Sequence, residues 1–177
     1  MRGRFSAVGV AAVLLSSCGL DNSLGGSLGE VFPLELSRVE VQKNDEALQI
    51  TYLHNRGVFL DVVVRVSVSM IDEGTAPDGG VPSFALEPGQ RIALEGTAPN
   101  GAFRTAVTHA PGGEPVRNLP RVKKGDLVIT SGGAIGEVTK GNFSMLFEQE
   151  GGDVGFGRTL TGTFSGMTLD AGFGELP

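Results

Sequence analysis

Apolar and polar residues alternate along most of this chain with a period of two. The clearest row is Val58, Leu60, Val62, Val64, Val66, Val68 and Met70, with Phe59, Asp61, Val63, Arg65, Ser67 and Ser69 between them. Successive side chains of a strand point to opposite faces, so this pattern predicts a central strand with one core face and one mostly wet face. Leu48, Ile50 and Tyr52 alternate with Gln49, Thr51 and Leu53 in the same way. They follow a turn at Lys43-Asn44-Asp45-Glu46, and residues 31–43 form the other arm of that hairpin. A change of parity between Leu36 and Val39 predicts a β-bulge in the first arm. Residues 91–95 and 102–110 predict two more strands, joined through Pro99-Asn100-Gly101, with Phe103, Thr105, Val107 and His109 on one face of the second. Residues 141–170 predict a last hairpin turning near Gly151-Gly152-Asp153. The expected register puts Phe143 opposite Phe164, Met145 opposite Gly162 and Phe147 opposite Leu160, so that bulky side chains cover glycine gaps.

No segment of the body carries a helical period. The expected fold is therefore all-β, an antiparallel β-sandwich or a partly closed β-barrel. The 28 glycines and 9 prolines suit many short strands joined by tight turns.

The N-terminus breaks the pattern. Met1-Arg2-Gly3-Arg4 is basic, and residues 5–15 are an uncharged apolar run of 11. Small residues follow. This is the order of a secretory signal peptide, and the run is shorter than the roughly 20 residues a membrane-spanning helix needs. Leu15-Ser16-Ser17-Cys18 resembles the lipobox of bacterial lipoproteins. That resemblance implies cleavage before Cys18, lipid on its sulfur, and a fatty acyl group such as palmitate on its new amino terminus. Gly19, rather than Asp, follows the cysteine. By the same resemblance this directs the protein to the outer membrane, lipid-anchored and facing the periplasm. Cys18 is the only cysteine, so no internal disulfide can form. Several acyl chains on one residue make a stable anchor, because a single chain binds only marginally.

The expected organisation is a signal peptide over residues 1–17, a lipidated cysteine with a flexible tether over 18–30, and one β-rich domain over 31–177. The stretch 19–30 is rich in Gly, Ser and Asn, and twelve such residues reach about 20 Å when flexible. The alternative is that Leu20, Leu24 and Leu28 pack on the domain.

Loss of Arg2 and Arg4 with the signal lowers Lys+Arg from 14 to 12 against 20 acidic residues, and the net charge moves from −6 to −8. Such a domain repels phosphates, so nucleic acid is not an expected partner. The expected partners are the membrane, through acylated Cys18, and an envelope protein.

Catalytic and metal chemistry find little footing. His54 and His109 are the only histidines, each near the end of a strand pattern. A zinc site needs three or four ligands at suitable spacing, and no His/Cys cluster exists. A Gly-x-Ser-x-Gly elbow is missing. Asp72, Glu73 and Asp78, like Glu148, Glu150 and Asp153, lack EF-hand spacing and read as solvated acidic turns. Arg117, Arg121, Lys123 and Lys124 form a small basic cluster beside a Pro- and Gly-rich loop. No catalytic residue, metal or cofactor is expected.

Residues 123–140, K-K-G-D-L-V-I-T-S-G-G-A-I-G-E-V-T-K, resemble the core motif of the YajC family, the small accessory subunit of the Sec translocase. Lys124-Gly125-Asp126, Val128, Thr130, Gly132-Gly133, Gly136 and Val138-Thr139-Lys140 carry the likeness. That family has an N-terminal transmembrane helix and no lipobox. Physically the motif is a strand, a Gly-Gly turn and a returning strand.

The expected function is a lipid-anchored, non-enzymatic envelope protein, an accessory or structural subunit of an assembly. The alternative is a binding module holding a small apolar or glycan ligand in a barrel mouth.

Overall fold

The computed structural model describes residues 22–72, 85–112, 114–149 and 157–171. Among the described residues ten strands form: β1 (Ser23–Gly25), β2 (Arg38–Lys43), β3 (Ala47–Arg56), β4 (Phe59–Ser69), β5 (Arg91–Ala93), β6 (Thr105–Ala110), β7 (Arg117–Asn118), β8 (Val122–Ser131), β9 (Val138–Phe147) and β10 (Thr159–Asp170). They make one sheet in the order β5-β8-β9-β10-β2-β3-β4-β6-β7, with β1 added alongside β10. The all-β class is as expected, and the sheet curls strongly into a half-barrel. It is mixed rather than wholly antiparallel, because β10 runs parallel to β2. Gly166 lies at this junction, where a Cβ would meet Val41 Cγ2 at 3.1 Å.

The curl brings the inner faces of the two halves together around one core. Leu48, Ile50, Tyr52, Val64, Val66 and Val68 from one half meet Leu127, Ile129, Phe143, Met145, Leu160 and Phe164 from the other. Each fully buried side chain of this size contributes about 1.5–3 kcal/mol. Tyr52 lies at the centre. Its ring meets Phe143 edge-on at 6.0 Å, and its hydroxyl donates to the Thr163 carbonyl at 2.9 Å. Burial pushes the phenol pKa well above the ordinary tyrosine range.

The turn at Lys43–Ala47 forms as read. Asn44 Oδ1 accepts from the Glu46 and Ala47 amides at 2.9 and 2.8 Å, an Asx-type closure. The strand–Gly-Gly–strand of residues 123–140 also forms, as the β8–β9 hairpin. Gly132 and Gly133 both take positive φ, and a Cβ at Gly132 would run into the Val138 carbonyl.

Four expectations are corrected. First, residues 31–37 are not strand. The chain enters β2 only at Arg38, and Phe32, Leu34 and Leu36 instead pack against the core from a non-ladder segment, so the parity change there is no bulge. Second, the bulge lies in β4. Leu53 pairs with Val62 but Tyr52 with Val64, and on the other side Val62 pairs with Ala110 but Arg65 with Thr108. Val63 is the extra residue. It turns inward beside Val64, and the apolar row is broken there.

Third, the β9–β10 register is shifted by two residues. Phe143 pairs with Gly162, Phe164 with Gly141, and Met145 with Leu160. An even shift keeps every side chain on its expected face. Each phenylalanine ring now covers the glycine directly across from it. A Cβ at Gly162 would meet the Phe143 ring at 2.6 Å, and one at Gly141 would collide with the Phe164 ring.

Fourth, residues 22–30 are docked rather than free. β1 pairs with β10, a 3₁₀ turn follows at Ser27–Glu30, and Leu28 is fully buried. Arg158 secures the turn through the Ser27 carbonyl and Glu30. The leucine-packing alternative holds for Leu24 and Leu28. Leu20 lies outside the described residues.

Candidate functional site

The bulge in β4 builds the site. Below it, toward the β3–β4 turn, Asp61 of β4 and His54 of β3 are cross-strand partners on the inner face. His109 comes from β6 on the same face, where Thr105 and Val107 are its buried neighbours. The period-2 count thus delivers both histidines to the mouth of the half-barrel. They line one cleft of about 340 Å³ together with Phe32, Glu35, Arg56, Glu114 and Arg117. That is near the lower end of ordinary small-ligand pockets.

Each group is held for a local reason. The extra residue Val63 turns its carbonyl out of the ladder, and His109 Nδ1 lies 2.8 Å from it. A carbonyl only accepts, so Nδ1 carries the proton and Nε2 is the acceptor nitrogen of neutral His109. Phe32 stacks on the imidazole, with centroids 4.0 Å apart and planes 16° from parallel. The packing of residues 31–37 against the sheet puts the ring there. Asp61 is buried yet partnered at both oxygens. Oδ1 accepts from the Gly112 amide at 2.5 Å, and Oδ2 faces Arg56 Nε at 3.3 Å. A Cβ at Gly112 would stand 2.7 Å from Asp61 Oδ1, so a side chain there would have to push the carboxylate aside. Arg117 pairs with Glu114 at 2.7 Å. His54 Nδ1 is buried and has no hydrogen-bond partner among the described residues.

This arrangement can bind a polar molecule. It offers two guanidinium groups, two imidazoles and carboxylates around a stacked aromatic pair. No serine, threonine or cysteine is among the described residues lining it, so a Ser-His-Asp arrangement finds no nucleophile there. No group of three His, Cys, Asp or Glu side chains suited to a metal occurs among the described residues.

Beside the cleft the tip of the β3–β4 hairpin is apolar and exposed. Gly57 makes the turn with positive φ, and Val58, Phe59 and Leu60 project from it.

Of the residues singled out in the sequence, His54 and His109 are brought together. Asp61, Arg56, Glu35, Glu114 and Phe32 were missed as members of one site. The triplet Val62-Val63-Val64 was the available signal, since three consecutive apolar residues in an alternating strand mark a place where an extra one fits. The basic cluster disperses. Arg117 faces the cleft, whereas Arg121 lies over the Phe103 ring at 3.9 Å, elsewhere on the surface. Cys18, Glu73, Asp78, Glu150 and Asp153 lie outside the described residues. No described helix is long and apolar enough to cross a membrane. Compared with protein-family models, curated proteins and solved structures, the chain matches none.

Proposed function

We propose that this is a lipid-anchored cell-envelope protein without enzymatic activity, held at the periplasmic side of the outer membrane by acylated Cys18, and that it acts as an accessory or structural subunit of an envelope assembly. The observation that carries the partner role is the exposed tip of the β3–β4 hairpin. Val58 is 93% exposed, and Phe59 and Leu60 follow it at 62% and 43%. Three large apolar side chains in a row, at the rim of a polar cleft, have the make-up of an interface centre. The anchor supports the same role by holding that surface at a fixed membrane.

The test is the native size of the lipidated protein after gentle detergent extraction from its own membranes. A defined species above the detergent-corrected monomer is expected, and Val58→Asp should return it to monomer. A clean monomer from the unaltered protein overturns the subunit reading. The anchor is tested separately by mass spectrometry, where Cys18→Ser should abolish acylation.

The cleft favours a second reading, a binding module. Its lining mixes guanidinium, imidazole and carboxylate groups with the Phe32–His109 stack, which suits a glycan better than an apolar ligand. Titration of the protein with soluble envelope glycan fragments should then shift the His54 and His109 ring resonances. Unmoved rings would exclude that reading.

A further inference from the structure

We infer that a second apolar surface, formed by Ile135, Val138, Met167 and Leu169 at the end of the half-barrel opposite the cleft, rests on the lipid bilayer beside the acyl anchor. The inference relies on the proposed acylation of Cys18 and adds to it a direction for the whole domain.

Strand directions define the two ends. β3 runs from Ala47 to Arg56, so the Lys43–Ala47 turn lies at one end and the apolar Gly57 tip at the other. β10 runs parallel to β2, which places Asp170 beside Lys43 at the first of these ends. The β8–β9 turn lies there too, since Ser131 pairs with Lys140 and Val138 with Met167.

At this end the outer face carries an apolar patch. Val138 and Met167 are direct cross-strand partners, and Leu169 follows Met167 on the same face of β10. Ile135 joins them from the turn, which is pinned to β10 where the Gly136 amide donates to the Thr168 carbonyl at 2.8 Å. All four are about half exposed. The inner-facing neighbours Thr139 and Thr168 are instead buried and share a hydrogen bond of 2.6 Å. The patch is therefore an outward apolar surface on a rigid ladder.

The start of the chain identifies what covers it. β1 is antiparallel to β10, so the chain reaches Ser23 from the Asp170 end. Asn22 Oδ1 accepts from the Ser165 amide, two residues short of Met167. Cys18 stands four residues before Asn22 in the sequence, a reach of at most about 14 Å. Acyl chains on Cys18 cannot enter a bilayer without bringing its surface close to this end. The acidic side chains there, Asp45, Glu46, Glu137 and Asp170, outnumber Lys43 and Lys140, a balance that matches a zwitterionic lipid surface better than an anionic one. The cleft and the Gly57 tip then face away from the membrane, roughly 30 Å along the strands.

The chain contains no tryptophan, so a single introduced one reports cleanly. The acylated full-length protein carrying Met167→Trp, and in a second preparation Val138→Trp, is reconstituted in phosphatidylcholine vesicles containing brominated acyl chains. Val58→Trp serves as the distal reporter. Flotation with the vesicles and the mass of the acylated protein verify the anchor. The expected result is a blue-shifted emission and loss of intensity for tryptophan at 167 and 138, with neither at 58. Acylated protein that floats but shows no quenching at 167 and 138 overturns the membrane contact and leaves the anchor standing. Protein that neither carries acyl chains nor floats overturns both.

Discussion

The two halves of β4 carry the same alternating pattern and meet opposite fates. Val64, Val66 and Val68 are wholly buried, whereas Leu60, of the same parity, and Val58, in the turn just before the strand, are exposed. The bulge at Val63 separates them. Beyond it the inward position passes to Asp61, Phe59 stays exposed at the tip, and the apolar row is turned out of the core. One inserted residue therefore converts a core strand into the wall of a polar cleft with an apolar tip. Periodicity marks where a strand is, and the bulge decides which stretch of it packs.

That contrast can be broken by placing one substitution at both ends. Val66→Asp should unfold the protein or lower its stability by more than about 4 kcal/mol, because the charge enters the core without a partner. Its midpoint in a denaturant titration measures this. Asp61→Ala, at the seam, leaves the Gly112 amide without its acceptor and should lower stability by about 1–3 kcal/mol. Asp61→Asn keeps an acceptor oxygen and should fall between Asp61→Ala and the unaltered protein in the same titration. Val58→Asp should change stability by no more than about 0.5 kcal/mol, since its site is already in water. An equal loss at Val58 and Val66 would mean that both ends of β4 are packed.

Tyr52 sharpens the comparison through pH. Its phenol is raised by burial, so folded protein keeps it protonated where the unfolded chain ionises it. The unfolded state then binds fewer protons, and stability falls as pH rises above about 10, the unfolded value. Below that pH the proton is present in both states and this dependence vanishes. Tyr52 is the only tyrosine, so tyrosinate absorbance should appear at alkaline pH only together with unfolding. Tyr52→Phe should remove this part of the alkaline loss. A tyrosine that titrates near 10 in folded protein would show that the phenol is not sealed in the core.

Much of the fold was legible, for identifiable reasons. The β2–β3 and β8–β9 hairpins each combine alternation with a strong turn, β9 and β10 alternate as clearly although the turn expected at Gly151-Gly152-Asp153 lies outside the described residues, and alternation fixes facing. Register was less legible. A shift of two residues leaves every face unchanged, so the hydrophobic pattern of residues 141–170 does not distinguish Phe143 over Gly162 from Phe143 over Phe164. Packing does, because each ring needs the space that a glycine leaves. Residues 22–36 were also obscured. Their leucines are spaced too irregularly for a ladder, yet Leu28 is buried through contacts with strands more than a hundred residues away. The site was the least legible part. His54, Asp61 and His109 meet only because three strands come into register around one bulge.

The position of β10 has a consequence for how the chain can assemble. It is the last of the described strands, yet it lies between β9 and β2 and also supplies the pairing edge for β1. A chain delivered from its N-terminus holds β1 without a partner, and the two halves unjoined, until residues 159–170 have emerged. Contacts spanning up to 143 residues close last and slow folding. The order of strands thus acts as a timer, keeping the nascent protein open until its final ladder arrives.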